Sequence, residues 1–461
     1  MKRFISLGYF FVITTTAVVL YSCNVTRPFS NDLKVPGDLY RDAAPSDSAN
    51  MATVPWDVFF KDTLLQKLIK EGLQNNLDLK TAATNIKAAE ANYAQTIQAF
   101  YPSLAVTAQG GAYHNADLQG NNNQLYQLYA ASSWQIDIWG KLKSTKRAVY
   151  ATLLQSEAYK QALQTQLVSD IAGAYYTLMA YDAQLSIAQT SVEKYAKDTA
   201  TMKMLKNSDV VTGAAVVQSA ANYYAVLSTI PDIKNNIRQT ENTLSLLLAR
   251  PPGSIERDSL FHQQVYPAIH TGVPAQLLSN RPDVREAELQ LRNTFELTNV
   301  ARTYFYPAIT ITGEAGIYSN SLSTFFKPGA VFANLIGGLT QPVFNNGLNK
   351  QRLKAAEANH EAAMYNFQQT LLNAGQEVSN ALYQYRMANE KATSRREQIL
   401  NLEKAVFFTS ELLKYTSSTN YTDVLTSEQN LLLARQSAVN DKLQQLQAVV
   451  NLYAALGGGR Q

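Results

Sequence analysis

The chain contains the same large unit twice, so its fold must be built from two equivalent halves. Three residue pairs in the 461-residue sequence share one offset of 205 residues: Asp78 with Asp283, Tyr101 with Tyr306, and Pro102 with Pro307. A repeat of this length is far longer than a solenoid unit and indicates an internal duplication. We predict copies at residues 63–250 and 276–456, joined by a proline-rich linker at 251–275 and followed by a flexible tail at 457–461.

Each copy is predicted to begin with a helix, at residues 63–100 and 276–305. Asp78 and Asp283 lie where an acidic side chain favours the start of a helix. A Tyr-Pro pair ends each helix, because the residue before a proline is disfavoured in the α region.

Two segments in each copy alternate apolar or small residues with polar ones, which is typical of a strand with two different faces. These segments lie at residues 103–113, 127–138, 309–318 and 331–343, the last with weaker alternation. Asp137 and Glu314 fall on the polar faces, and we expect them to face a water-filled lumen. Aromatic residues stand near the strand ends, as in the girdles of outer-membrane barrels: Tyr101, Tyr126, Trp134, Trp139, Tyr306 and Phe344. A water-soluble hairpin is the alternative that alternation alone leaves open.

A very long helix follows the strands in each copy. Residues 141–206 contain no proline, and apolar residues there and in 348–413 recur at steps of three and four, the pattern of a coiled coil. About 65 residues at 1.5 Å per residue form a rod about 100 Å long. Polar breaks then lead into antiparallel helices at 210–249 and 421–456, and Pro231 is expected to kink or interrupt the first.

The sequence beyond the first 22 residues has no run of 18 or more apolar residues, so a membrane crossing would have to use strands. Four strands cannot close into a barrel, and an open sheet edge in lipid leaves backbone groups without hydrogen bonds. The chain is therefore expected to pool its strands with copies of itself. Two copies give a barrel of 8 strands, and side chains fill the interior of a barrel of that size. Three copies give 12 strands, which leave a lumen.

The N-terminus predicts a lipid anchor. Residues 1–22 resemble a secretory signal peptide, and Leu20-Tyr21-Ser22-Cys23 resembles the lipobox of bacterial lipoproteins. Cys23 is the only cysteine, and we predict that it carries a covalent diacylglycerol and an N-palmitoyl lipid, which together anchor firmly. A buried, unmodified thiol is the alternative. We predict that residues 23–62 form a lipidated N-terminal segment that wraps the equatorial region. Position 24 is asparagine and not aspartate, which resembles lipoproteins that are sorted onward to the outer membrane.

The sequence lacks the parts of an enzyme or of a nucleic-acid-binding protein. Its four histidines are dispersed without metal-ligand spacing: His114, His262, His270 and His360. No phosphate-binding glycine loop, nucleophile elbow or Cys–His pairing is present. The 40 basic and 36 acidic residues nearly balance, which argues against a nucleic-acid partner. We expect no catalysis, no metal, and no cofactor apart from the covalent lipid.

Several segments match one known family in the correct order, over nearly the whole mature chain. They lie at residues 56–79, 134–141, 278–288, 305–307, 375–378 and 451–458. The chain resembles the TolC-like outer-membrane efflux proteins, in particular the lipidated branch typified by OprM and NodT-type lipoproteins. This resemblance implies an α+β membrane protein and a homotrimer. The four strands of each chain would form one 12-stranded β-barrel, and the long antiparallel helices an α-helical barrel across the periplasm.

The same resemblance implies where the chain works and with which partners. It would lie in the outer membrane of a Gram-negative bacterium, held by its own strands and by lipid. A periplasmic adaptor protein and an inner-membrane, proton-driven transporter of the RND type would deliver cargo to it. The chain would then be a passive exit duct for drugs or other toxic small molecules.

The resemblance also implies a closed aperture at the tips of the helix pairs, here residues 207–212 and 417–423. Family members carry acidic rings there, and three-fold symmetry turns each acid into a ring that attracts cations. This chain offers three candidate aperture acids: Asp209, Asp423 and Glu428. Thr426 stands where a further acid is expected, three residues after Asp423. An ordinary helix-capping role is the alternative for each acid.

Two other functions fit parts of the sequence. An exit duct for type I protein secretion would use the same architecture, although the lipobox favours small-molecule efflux. A structural coiled-coil surface lipoprotein would explain the helices and the lipid but not the duplicated strand pairs. The 4 histidines and 7 methionines disfavour a dedicated metal exporter. The substrate itself is not specified, because a duct selects weakly and the pump chooses.

Overall fold

The computed structural model describes residues 25–30, 39, 41, 55–114, 122–264, 281–415 and 421–458. Its helices are α1 (Trp56–Phe59), α2 (Thr63–Asn75), α3 (Leu77–Gln98), α4 (Lys141–Asn207), α5 (Gly213–Leu247), α6 (Pro282–Thr303), α7 (Leu348–Tyr415) and α8 (Tyr421–Ala455). Its strands are β1 (Ser103–His114), β2 (Asn122–Ile136), β3 (Ala308–Ser319) and β4 (Val331–Thr340). Short 3₁₀ turns occur at Leu260–His262, Leu322–Thr324 and Pro328–Ala330. Among these residues, no helix is both long enough and apolar enough to cross a membrane.

The first predicted helix, residues 63–100, is two helices, α2 and α3, separated at Asn76. The Asn76 Oδ1 atom accepts hydrogen bonds from the backbone N–H groups of Asp78 and Leu79, at 2.9 and 3.1 Å. Its Nδ2 atom donates to the backbone oxygen of Leu247 at 3.0 Å. An asparagine side chain that caps a new helix competes with continuation of the old one, so the prediction of a single helix was wrong.

The matching helix of the second copy, α6, begins at Pro282, and Asp283 lies in its first turn. Proline suits the first helical position because its missing N–H has no partner there in any case. The predicted start at residue 276 lies outside the described residues. The expectation that acids mark these helix starts is confirmed for both copies, since Asp78 lies in the first turn of α3.

The two long helices are confirmed nearly to their predicted ends. Helix α4 has 67 residues and α7 has 68, each without interruption. At 1.5 Å per residue each is about 100 Å long. The return helices α5 and α8 have 35 residues each.

Pro231 does not interrupt α5, so the expected interruption was wrong, while the expected kink stays a prediction. The helix runs continuously from Gly213 to Leu247 with Pro231 inside it. An internal proline costs about 3 kcal/mol because it removes one hydrogen bond and crowds the preceding turn. Burial of Ile233 and Leu244 on the same helix offsets this cost through packing.

The four strands form one antiparallel sheet in the order β1-β2-β3-β4. Strand β2 pairs with β1 of its own copy and with β3 of the other copy, with Leu128 opposite both Ala108 and Ile317. The duplicated hairpins therefore share a single sheet. Strand β4 ends at Thr340, before the predicted end at residue 343, because Pro342 cannot donate to a strand ladder.

The chain divides into two compact units, each of which draws on both copies of the duplication. Unit 1 comprises residues 1–33, 85–157 and 286–368 and contains the sheet. Unit 2 comprises residues 34–84, 158–285 and 369–461. The largest fully buried side chains of unit 2 come from α2, α4, α5, the residue that follows α5, and α8: Leu65, Ile69, Ile171, Tyr175, Leu178, Met179, Met202, Leu244, Leu248 and Tyr453.

Candidate functional site

The sheet has one apolar face and one polar face, as the alternation predicts. The registers place the following residues on one face: Leu104, Val106 and Ala108 of β1, Leu128, Ala130 and Trp134 of β2, Ile309, Ile311 and Ile317 of β3, and Val331, Leu335 and Leu339 of β4. Much of this apolar face is exposed, and Leu335 has 81% of its surface accessible. An exposed apolar surface that crosses four strands marks a contact with lipid or protein.

Glu314 lies on the polar face of the sheet. It stands opposite Ala131 of β2 and Asn334 of β4, and its side chain is half-buried. Farther along the same face, Gln109 and Gln127 form a cross-strand hydrogen bond. The structure thus places Glu314 on the face predicted for it, and its exposure to a lumen stays a prediction.

Asp137 is not a strand residue, which corrects its assignment to the polar face of a strand. Strand β2 ends at Ile136, and the chain then turns through Gly140, whose φ is 76°. The two carboxylate oxygens of Asp137 accept hydrogen bonds from the N–H groups of Leu142 and Lys143, at 3.0 and 2.9 Å. A carboxylate satisfies free N–H groups at a helix N-terminus and interacts favourably with the helix dipole, so Asp137 caps α4.

Most of the aromatic residues singled out in the sequence lie near one end of the sheet. Tyr101 precedes β1, Trp139 follows β2, Tyr306 precedes β3 and Phe344 follows β4. The Trp139 and Tyr306 rings lie 5.0 Å apart, and the Trp139 indole N–H donates to the backbone oxygen of Pro307 at 2.7 Å. Corresponding ends of the two hairpins are thereby held together. At the opposite end, the ring of Tyr126 contacts Phe325 at 6.4 Å.

The segment just beyond the predicted lipid site is bound to α6. The side chain of Asn299 exchanges two hydrogen bonds with the backbone of Arg27, at 3.1 and 2.9 Å. The ring of Phe29 packs edge-on against Phe295 at 5.5 Å. Cys23 itself lies outside the described residues. The sequence pattern did not indicate Asn299, because its hydrogen-bond partner is a backbone group and a backbone group cannot be recognised from residue types.

At the helix tips, Asp209 terminates α4. Its φ of 56° is left-handed, and the N–H of Val210 donates to the backbone oxygen of Leu205 at 2.9 Å. This is the Schellman geometry that closes many helices. Asp209 and Asp423 are both exposed, and Asp423 lies in the first turn of α8. Their part in an aperture stays a prediction, and residues 416–420 lie outside the described part of the chain.

Glu428 differs from these two acids because it is buried, with only 6% of its surface accessible. It stands five residues after Asp423, a rotation of about 140° around the helix, so it faces a different side of α8. Its Oε1 atom lies 2.8 Å from the Nζ atom of Lys194 on α4. The structure therefore places Glu428 among the helices of unit 2, apart from the exposed tip acids.

The surroundings of Glu428 also shift the pKa of Asp198 on α4. Burial is the largest cause, and the nearby Glu428 carboxylate adds to it, so the pKa of Asp198 rises to about 7. On the same side, Tyr421 donates from its hydroxyl to Ser219 of α5 at 3.2 Å, and Ser219 contacts Thr199 at 2.9 Å. No sequence pattern indicated Asp198, because it is contacts between helices that bring it to Glu428.

Arg281 is a third residue that the sequence pattern did not indicate. Its guanidinium is bidentate to Asp283, at 3.0 and 2.6 Å, and lies 2.7 Å from Glu377 of α7. The same group donates to the backbone oxygen of Ala455, at the end of α8, at 2.7 Å. These contacts line a cavity of about 810 Å³ in unit 2, together with Asp170. Arg281 therefore ties the start of α6 to α7 and α8.

None of the described residues forms a group of three or more His, Cys, Asp or Glu side chains that could hold a metal ion. His360 instead packs against Phe295 at 5.6 Å, and burial lowers its pKa. The candidate functional features of the described residues are surfaces and polar contacts between helices.

Comparison with known proteins agrees with this architecture. The model of the family described as outer membrane efflux protein matches residues 68–250 and 273–458, the two copies of the duplication. The cation efflux system protein CusC of Escherichia coli (strain K12) is 28% identical over 457 residues, which cover 96% of this chain and 98% of the relative. The probable outer membrane lipoprotein SilC of Salmonella typhimurium is 28% identical over 411 residues, 88% of each chain.

Solved structures share the fold. A crystal structure of CusC superposes with a TM-score of 0.84 at 26% identity, and covers 94% of this chain and 100% of the other. The open state of the Neisseria gonorrhoeae MtrE outer membrane channel gives a TM-score of 0.85 at 23% identity, with 95% and 99% covered. The duplicated hairpins, the paired long helices and these matches lead to one conclusion: the chain belongs to the outer membrane efflux protein family and is an outer-membrane channel of an efflux pump.

Proposed function

We propose that three copies of this chain form one passive duct through the outer membrane, in which β4 of each copy pairs with β1 of the next. The observation that carries this proposal is the open order of the sheet, β1-β2-β3-β4, with β1 and β4 at its edges. An edge strand carries a row of backbone groups without ladder partners, and burial of such groups in lipid costs several kcal/mol each. Pairing between copies removes both edges.

The two faces of the sheet support the same arrangement. Twelve strands enclose a lumen wide enough for solutes, whereas eight are filled by side chains. The exposed apolar face, with Val106 and Leu335, would contact lipid. The face that carries Gln109, Gln127 and Glu314 would line the water-filled interior.

We further propose that an adaptor protein and an inner-membrane, proton-driven transporter deliver small toxic molecules to this duct. Family members serve pumps for different cargo: CusC is named for cation efflux and TtgC of Pseudomonas putida for toluene efflux. The substrate is therefore set by the pump, and this chain contributes a wide polar passage.

Purification in detergent followed by light scattering and planar-bilayer recording tests the duct. We expect a protein mass about three times that of the mature chain, and long-lived conductance steps after insertion. A monomer would contradict the assembly, and a trimer without conductance would contradict the duct.

The lipid on Cys23 is a separate proposal. The tie between Asn299 and Arg27 fixes the chain four residues after Cys23 and supports an anchor at this end of unit 1. Metabolic labelling with a palmitate analogue should mark the wild-type chain and leave Cys23→Ala unlabelled. We expect trimers of the variant to insert still, because the strands hold the protein in the membrane. A labelled variant would contradict the lipid site.

A further inference from the structure

A buried and a half-buried carboxyl group, those of Glu428 and Asp198, face each other where α4 packs against the first turns of α8. Asp198 lies nine residues before the end of α4, and Glu428 is the eighth residue of α8. The surrounding apolar cluster contains Met202, Val424 and Leu425. Both carboxyl groups therefore lie near the tip ends of their helices, beside an apolar cluster.

Each carboxyl group has one buried oxygen without a hydrogen-bond partner, Oδ2 of Asp198 and Oε2 of Glu428. Two ionised carboxylates only accept hydrogen bonds, so neither can satisfy the other. One added proton changes this, because a protonated Asp198 donates its O–H to Glu428 and satisfies both oxygens at once. A buried acceptor without a partner is otherwise costly.

The charges near the pair require the same proton. The charged groups that act on Asp198 in the described part of the chain are Glu428 and Lys194. Two carboxylates against one ammonium leave a net negative charge beside the apolar cluster, whereas one bound proton makes the three groups neutral together. The adjacent Lys194 also disfavours a metal cation at this position.

The remaining groups around the pair are weak acids or neutral. Tyr195 of α4 and Tyr421 of α8 keep their phenol protons, since burial raises the pKa of each to about 12. Helix α5 contributes the neutral side chains Ser219 and Asn222, and the apolar Leu413 comes from α7. Asp198 is thus the residue in this cluster whose pKa is raised toward neutral pH.

We propose that Asp198 and Glu428 bind one shared proton, and that this proton holds the tip of α8 against α4. Loss of the proton at higher pH leaves two carboxylates in contact, and their repulsion loosens the first turns of α8. The aperture end of the helix pair would therefore be held more firmly in mildly acidic medium than in alkaline medium. This device goes beyond the duct itself, and its binding site is complete within one chain.

The direction of the pH effect follows from linkage. The pKa of Asp198 is raised in the packed state and is expected to return to its ordinary value when α8 loosens. Stability from the bound proton is therefore fully present below the ordinary pKa and is lost as pH rises through the raised one. With a raised pKa near 7, the opening equilibrium of this segment should increase about tenfold between pH 6 and pH 8.

Hydrogen exchange of the full chain in detergent, monitored by mass spectrometry on peptides from residues 421–430, tests the proposal. After correction for intrinsic exchange rates, the wild type should lose about tenfold protection between pH 6 and pH 8. Asp198→Asn places a permanent donor beside Glu428, so its protection should not change with pH. Glu193→Gln removes an exposed carboxylate five residues away on the same helix, and it should respond as the wild type does.

An infrared titration of the wild type detects the proton without any variant. A carbonyl band of a protonated carboxyl group should disappear near neutral pH, and Asp198→Asn should lack it. Exchange that does not depend on pH in the wild type, or the same tenfold response in Asp198→Asn, would overturn the proposal. Neither readout requires an open pore, so failure here is distinguishable from failure of the proposed duct.

Discussion

Replacement of Arg281 by methionine is expected to loosen the end of α8, because one guanidinium holds α6, α7 and α8 together. The Arg281 side chain has only 7% of its surface accessible, whereas Asp283 and Glu377 have 41% and 56%. Without the guanidinium, these two carboxylates regain hydration, so the loss of their ion pairs is small. The backbone oxygen of Ala455 also loses its buried donor. Together these losses are worth about 2–4 kcal/mol.

The assay is hydrogen exchange on peptides from residues 448–458 of the purified protein. A cost of about 2–4 kcal/mol corresponds to exchange about 30- to 1,000-fold faster wherever α8 opens locally. Arg435→Met is the matched control, since Arg435 pairs with Glu403 at 2.9 Å and both side chains are nearly half exposed. That pair is worth about 1 kcal/mol or less. An effect of Arg281→Met no larger than that of the control would refute the reasoning.

Two further predictions concern the sheet and the connection from β2 to α4. Leu335→Arg places a charge on the exposed apolar face of β4 and should strongly reduce the amount of membrane-inserted trimer, because such a charge costs about 2–4 kcal/mol at the bilayer midplane. Asn334→Arg, on the other face, should be tolerated. Equal yields of the two variants in membrane fractions would contradict the assignment of faces. Asp137→Ala should destabilise the start of α4 by about 1 kcal/mol and leave the ion selectivity of single channels unchanged. Asp137→Asn keeps a side chain that can cap the helix and serves as the control. Altered selectivity would support the interpretation of Asp137 as a lumen-facing acid.

Local patterns in the sequence predicted most of the elements correctly. The alternation of apolar and polar residues with a period of two predicted the positions of the strands. The recurrence of apolar residues every three or four positions predicted α4 and α7 almost to their ends. The faces of the sheet also followed, because side chains alternate strictly along a strand and a regular register extends that alternation across the sheet. These properties depend on residues that are near neighbours in the chain.

The errors share one cause, which is that a specific side-chain contact or tertiary packing outweighed the preference indicated by the residue pattern. Asn76 breaks the first helix while its side chain donates to Leu247. Asp137 continues the polar alternation of β2 in the sequence, yet its carboxylate caps α4. Pro231 lies within a helix that packing maintains. In each case a contact worth about 1–3 kcal/mol outweighed the local preference.

The sequence by itself determined that the chain is duplicated, that each half carries one hairpin and a pair of long helices, and that it resembles outer-membrane efflux proteins. Only the tertiary structure decided which polar residues are surface acids and which are buried contacts. Asp209 and Glu428 look alike in the sequence, but the first closes a helix in water and the second meets Asp198 and Lys194 away from it. The reason is that periodicity records which side of a helix a residue occupies, whereas the charge state of a carboxyl group depends on what the opposite helix brings to it.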